Sequence, residues 1–453
     1  MSRGDTGRAD GLDPESAIAS WRAYLVSRGS LSDGDADELE DHLCSQIDAL
    51  RAAGLDADEA VLIAVKRMGR QDEIAGEYAR ENSRRLWKQL VVAGSPARPR
   101  RLDGGVIMLA FAVLAALLAK LPWLLGAAIA PAVLGGAVLA MATLAVSVAW
   151  RTRPPRALVA ASAVGFAVIF VLALAYPFGG RGDTLVIFGL HAPIVLWLLI
   201  GLLYAGAGWR TAAGRMDFVR FTGEWIVYLA LIALGGGVLM GITAAVFSAL
   251  GADPSTVLIE WVAPCGAAGA AAVAAWLVDS KQEVIENMAP VLGRVFTPLF
   301  TIAVLAMLAG AVVTGGFGAY REVLIVVDVL LVVVTGLVLY VLSAQQPTAR
   351  PGWTERLQLL LVLAAFALNG FALAAMLGRI GDGGFTPNRV VALGVNLVLL
   401  VGLAGTAWLL ARRAFRADAS TRRLLAWQTG YLPVYGAWAL AAAVVVPPIF
   451  AFA

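Results

Sequence analysis

The sequence predicts an all-α protein: a polytopic transmembrane helix bundle of about 11 spans behind an N-terminal four-helix cytoplasmic domain. Three observations carry this. First, 60% of the 453 residues are hydrophobic and only 15% are charged, against roughly 25% charged in a soluble domain. Second, nearly half of all Lys, Arg, Asp and Glu fall within residues 1–101. Third, the remainder is a series of apolar runs of roughly 17–25 residues, the length that crosses the ~30 Å hydrocarbon core as a helix. Lipid admits only helices or closed barrels, because backbone polar groups find no water there. These runs are continuous, rich in Ala, Leu and Val, and lack the alternation of barrel strands.

In chain order, residues 1–12 read as a disordered tail and residues 13–95 as the cytoplasmic helical domain. Its first helix opens with Asp13 as N-cap and Pro14 at N1, a pairing suited to a helix start. The second begins near Ser32–Asp33 and carries the stripe Leu39, Leu43, Ile47 and Leu50, one face of a helix, with Gly54 closing it. The third opens at Asp56, with Glu59 three positions on, close to a capping box, and should bury Val61, Ile63, Ala64 and Met68. The fourth starts near Gln71–Asp72. His42, beside Glu40 and Asp41, reads as a solvated residue rather than a ligand, and Cys44 as a packed side chain.

This stretch resembles the bacterial permease prefix domain, of the helical type associated with anti-sigma factors. The likeness rests on Glu38-Leu39-Glu40-Asp41-His42-Leu43, Gly54 to Ala60, Ala64 to Gly69 and Glu73 to Tyr78. The resemblance implies a regulatory or scaffolding module ahead of membrane segments, and no catalytic residues. The expected partner is a cytoplasmic protein, such as a transcription regulator, docking on residues 13–95. Direct nucleic-acid binding is not expected, because the domain is net acidic.

After a basic juxtamembrane linker at 96–103, the spans of the 104–453 domain fall near 104–119, 125–149, 157–176, 185–206, 222–249, 255–278, 291–314, 322–343, 357–378, 389–410 and 426–450. Basic residues gather in alternate connections: Arg98, Arg100 and Arg101, then Arg151, Arg153 and Arg156, then Arg210, Arg215 and Arg220. Lys281 follows, then Arg350 and Arg356, then Arg412 to Arg423. Positive charge stays inside. The expected location is therefore the cell membrane, with a cytoplasmic N-terminus and an extracytoplasmic C-terminus. No apolar signal segment occupies the first 30 residues, so the first span is expected to direct membrane entry. Gly237 and Gly241, flanked by Gly235 and Gly236, read as a close helix-packing face.

Charged and amide groups inside spans are costly and mark candidate sites. His191, Glu260, Asp328 and Asn396 should lie at a similar depth, about 8–11 Å below the outer surface. Arg321, Arg379 and Arg389 sit at the same border. The sharp expectation is an outward-facing polar cavity of His191, Glu260, Asp328, Arg389 and Asn396; the alternative is a set of structural polar contacts near the interface. Asn369, deeper in, should hydrogen-bond between helices.

The segment from Gly384 to Leu397 is similar to a family of bacterial inner-membrane proteins that carries no established reaction, and Thr386 with Pro387 suffices there as a helix start. The sequence holds no phosphate-binding Gly-rich loop, His-Glu-x-x-His or Gly-x-Ser-x-Gly motif. Two His and two Cys supply no cysteine-rich metal site. No enzyme activity, cofactor or metal is expected. The function classes left are a regulatory or sensory membrane protein, a permease-like transporter and a non-catalytic scaffold.

Overall fold

The computed structural model describes residues 33–67, 104–178, 182–280, 288–317, 321–343, 353–415 and 421–452. Among them every regular element is helical and no strand occurs. The chain divides into two units, Met1–Leu102 and Asp103–Ala453.

The first unit shows two helices, α1 (Asp33–Ala52) and α2 (Ala57–Arg67). Three of the four stripe residues, Leu43, Ile47 and Leu50 of α1, are buried, as are Ala60, Val61 and Ala64 of α2, while Ile63 is half-buried; the Leu39 side chain and Met68 lie outside the described residues. Between them Gly54 adopts φ +94°. Its N–H bonds the carbonyl of Arg51, and the N–H of Leu55 reaches the carbonyl of Leu50. That crossed pair is a Schellman motif, and its left-handed position suits glycine. Cys44 is half-buried. Burial, then the carboxylates of Glu40, Asp48 and Asp41, push its thiol above the usual range. The predicted first and fourth helices and the linker lie outside the described residues.

The second unit contains ten helices long and apolar enough to cross a membrane, counted among the described residues. This is the architecture of a multi-pass membrane protein. They are α3 (Gly104–Leu124), α4 (Ile129–Thr152), α5 (Arg156–Ala175), α6 (Asp183–Ala205) and α7 (Ala212–Ala249), then α8 (Ser255–Ser280). The remainder are α9 (Met288–Val313), α10 (Arg321–Ser343), α11 (Trp353–Gly383) and α12 (Pro387–Phe415). Helix starts and stops follow local chemistry. Thr211 caps α7 by accepting from the Gly214 N–H at 3.1 Å. Thr386 stands at the head of α12, 3.4 Å from the Arg389 N–H. Arg153 turns left-handed at the end of α4, and Pro154 and Pro155 prevent its continuation.

The last stretch differs from expectation. Instead of one span at 426–450, the chain forms α13 (Thr421–Gly430), α14 (Leu432–Val444) and a single turn at Val446–Ile449. Pro433 and Pro447 sit at the first turns of the last two segments, where the missing N–H of proline is tolerated and the preceding helix is interrupted. The stretch still runs antiparallel along α12. Side chains Trp427, Tyr431 with Tyr435, and Trp438 lie against Gly405, Gly402 and Gly394 in turn.

Two large apolar clusters fill much of the interior among the described residues. One joins α9 to α12 around Leu331, Leu361 and Leu368; the other joins α4 to α8 around Ile169, Phe188 and Ile200. Ala443 of α14 enters the second cluster, and Tyr176 donates to the Val444 carbonyl at 2.8 Å. Ion pairs fasten helix ends. Arg151 of α4 pairs with Asp279 of α8. Arg413 of α12 and Glu355 of α11 form a buried two-point contact at 2.8 and 3.1 Å.

Close glycine packing occurs, but not in the run Gly235 to Gly241. A Cβ at Gly235, Gly236, Gly237 or Gly241 would meet nothing within 4 Å. Tight approaches fall instead at Gly136 on Ala119, Gly201 on Phe218, Gly223 on Tyr340 and Gly394 on Trp438. An apolar run presents small residues on every side, and tertiary contact alone decides which side faces a neighbour.

Candidate functional site

A cavity of about 920 Å³ in the membrane unit lies among α3, α4, α6, α7 and α8. That is the upper end of the range for ligand sites. On α4 its lining runs from Ile129 to Leu144, about 22 Å at 1.5 Å per residue. The cavity is therefore a slot parallel to the helices. Its rim residues Ile129, Val133 and Ile259 are exposed, so it opens sideways. Small residues make the room: Ala132, Ala137 and Ala140 on α4 face Ala267, Ala268 and Ala271 on α8.

The far wall is aromatic. Trp197 and Trp225 pack with ring centroids 4.2 Å apart. Their indole N–H groups are already engaged, Trp197 with the Thr222 hydroxyl at 3.1 Å and Trp225 with the Ala271 carbonyl at 3.0 Å. What they present to the slot is apolar ring surface.

Both charged groups of the lining, Lys120 and Glu260, sit at one end. The Lys120 ammonium lies 5.1 Å from the Trp123 ring and 4.9 Å from the Trp261 ring. The two rings meet edge to face at 5.1 Å. Such cation–π contacts contribute about 0.5–2 kcal/mol according to desolvation. Lys120 forms no ion pair with Glu260 or with any other carboxylate among the described residues.

Local chemistry places this end. Pro264 stands in the first turns of α8, where it cannot donate to the carbonyl of Glu260 four residues back and its ring crowds that carbonyl. The helix widens there into a π-turn, Leu258–Val262, with the Ala263 N–H bonded to the Leu258 carbonyl. Such widened turns often accompany functional sites, because they re-aim the side chains they contain; here those include Glu260 and Trp261. On α3 the helix continues through Pro122 to Leu124. It ends at Gly126, φ +84°, where Ala127 bonds the Pro122 carbonyl and Gly126 the Trp123 carbonyl. This closure holds Trp123 beside Lys120.

The five residues expected to share one polar cavity are divided. Only Glu260 lines the slot; His191, Asp328, Arg389 and Asn396 do not. Asp328 and Asn396 meet directly: Asn396 Nδ2 donates to Asp328 Oδ1 at 2.9 Å and to the Ala392 carbonyl at 2.8 Å. Asn369 joins them, its Nδ2 donating to the Asn396 backbone carbonyl at 3.1 Å. Both asparagines are fully buried, and their side-chain oxygens accept no hydrogen bond. His191 Nδ1 donates to the Ile187 carbonyl of its own helix at 2.9 Å. Arg389 folds onto the Gly384 carbonyl at 2.8 Å. Arg321 lies 3.8 Å from Asp183 and pairs with neither Glu260 nor Asp328.

Sequence reading missed Lys120, because the first span was closed at residue 119. The signal was present: one Lys and one Trp, three residues apart, ending an otherwise apolar run. No group of three His, Cys, Asp or Glu able to hold a metal occurs among the described residues.

No family model, curated protein or solved structure matches the chain.

Proposed function

We propose that this chain is a sensory or regulatory membrane protein whose membrane unit binds an amphiphile from the outer half of the bilayer, while residues 13–95 dock a cytoplasmic protein. One observation carries the reading: the slot is long, apolar along its length, open at its side and charged at one end only. A solute from water needs polar groups throughout its site, whereas an amphiphile needs a dry channel and a polar lip.

Orientation supports it. With basic connections inside, the end of α3 and the start of α8 face outward, so Lys120, Trp123, Glu260 and Trp261 lie at the outer headgroup level. Indole rings favour that level, and the slot extends from it into hydrocarbon. The stretch from Thr421 to Ile449 serves as an eleventh span, assembled from two helices and a turn. Its antiparallel course beside α12 supports this, and it puts the C-terminus outside. The permease-prefix resemblance of the N-terminal domain supports the docking role.

The test is lipid retention. Full-length protein is extracted in mild detergent, and native mass spectrometry reads the bound lipid. One retained lipid is expected, and filling the slot with Ala268→Phe should remove it while the melting midpoint holds. Lipid-free protein, or lipid equally retained by the filled variant, would overturn the reading.

A permease-like transporter is the second reading. The observation favouring it is the cluster of Asp328, Asn369 and Asn396, with two buried amide oxygens lacking donors. Loss of substrate flux in Asp328→Asn with folding intact would favour it.

A further inference from the structure

The two charges at the lip do not neutralise each other. Lys120 is held by Trp123 and Trp261. Glu260 is exposed and forms no ion pair or hydrogen bond among the described residues. A cation and an anion on one rim that do not pair with each other match a ligand that carries both charges a short distance apart. A net-anionic headgroup would satisfy Lys120 and be repelled by Glu260. A net-cationic one would meet the reverse arrangement. A headgroup with a quaternary ammonium balances charge but has no N–H to donate, whereas a primary ammonium has three donors.

We infer that the slot selects an aminophospholipid, with an acyl chain along the alanine-lined channel, the phosphodiester on the Lys120 ammonium and the primary ammonium on the Glu260 carboxylate. The inference rests on reading the cavity as an amphiphile site and adds the headgroup class. The π-turn is part of the device. It sets Glu260 and Trp261 on the same rim, so one turn of backbone supplies both the anion for the ligand and an aromatic wall that positions the cation.

The test uses full-length protein, stripped of lipid by detergent exchange. It is then offered phosphatidylethanolamine, phosphatidylglycerol and phosphatidylcholine with identical chains, and native mass spectrometry reads retention. Charge-assisted hydrogen bonds predict that wild type prefers phosphatidylethanolamine by about tenfold or more over either competitor. Glu260→Gln should shift the preference to phosphatidylglycerol. Lys120→Gln should lose phosphatidylethanolamine, and Lys120→Arg should keep it. Matched melting midpoints and helicity establish folding, and if Lys120→Gln does not fold, Glu260→Gln and Lys120→Arg decide. Equal retention of the three lipids by wild type, or an unchanged preference in Glu260→Gln, would overturn the headgroup assignment while leaving the slot as an amphiphile site. Retention of none of the three would overturn the amphiphile reading itself.

Discussion

Glu355→Ala should destabilise the membrane unit more than any change made on its lipid-facing surface. The Glu355 and Arg413 side chains are 8% and 4% exposed, and they meet at 2.8 Å and 3.1 Å. The pair joins the first turn of α11 to the last turn of α12, where each charge also suits its helix dipole. Removing the carboxylate takes this counter-charge from a buried guanidinium, and breaking such a buried pair costs about 3–5 kcal/mol. At roughly 2 °C per kcal/mol for a large unit, the melting midpoint should fall by about 6–10 °C. Replacing both partners with apolar residues, Glu355→Leu with Arg413→Met, removes the charges together and should cost much less than Glu355→Ala alone. The assay is thermal unfolding of purified protein in one detergent, followed by circular dichroism, across wild type, Glu355→Leu, Arg413→Met and their double variant as one cycle, with Glu355→Ala beside them. Midpoints that add across the cycle, with Glu355→Ala falling less than 2 °C, a shift well below the buried-pair range, would refute the argument that this pair is dry and coupled.

Three further outcomes follow from the same geometry. Gly394→Leu drives a side chain into the Trp438 ring, whereas Gly237→Leu adds one to open space; the first should cost about 3 kcal/mol or more and the second under about 1, read by the same melts. Pro264→Ala restores a donor to α8 and relaxes the π-turn; lipid should remain bound while headgroup preference weakens, and unchanged preference would dissociate the π-turn from recognition. In the N-terminal unit the Cys44 thiol is raised by burial and by Glu40, Asp48 and Asp41. A raised thiol is less ionised at any pH below its new value, so maleimide labelling near neutral pH should be slower than for Cys44 in the denatured chain. Labelling should rise as pH is increased, and Asp48→Asn should accelerate it. The raised value also means that folding favours the protonated thiol, so its contribution to stability is present below the ordinary thiol range and declines above it.

The membrane architecture was legible because it follows from the solvent. Long uncharged runs have one stable answer in lipid, and the boundaries of α4, α5 and α8 fall near those read from the sequence. Where the reading departed, tertiary contact or local backbone chemistry decided. The helix through Lys120 extended past the predicted end, running on through Pro122 to Leu124, and that moved a charge from a loop to the rim of the slot. The final span broke at prolines that hydropathy counts as tolerable. Asp328 and Asn396 share a depth by residue count, and the structure pairs them; Glu260 shares that depth and lies in another part of the bundle. Depth along the membrane normal is encoded in spacing from a span's end, whereas position around the bundle depends on which helices pack together. Gly237 and Gly394 show the same limit, since both stand in apolar runs and only one meets a neighbour.

The path of the chain through the bilayer underlies the placement of the slot, and single-cysteine accessibility in intact cells measures it directly. With Cys44→Ser and Cys265→Ala as background, one cysteine is placed at Gly180, Ala419 or Ala451 and labelled with a membrane-impermeant maleimide. Labelling is expected at 180 and 451 from outside, and at 419 only after the cells are opened. External labelling at 419, or protection of 451 until lysis, would contradict the orientation that puts Lys120 and Glu260 at the outer surface.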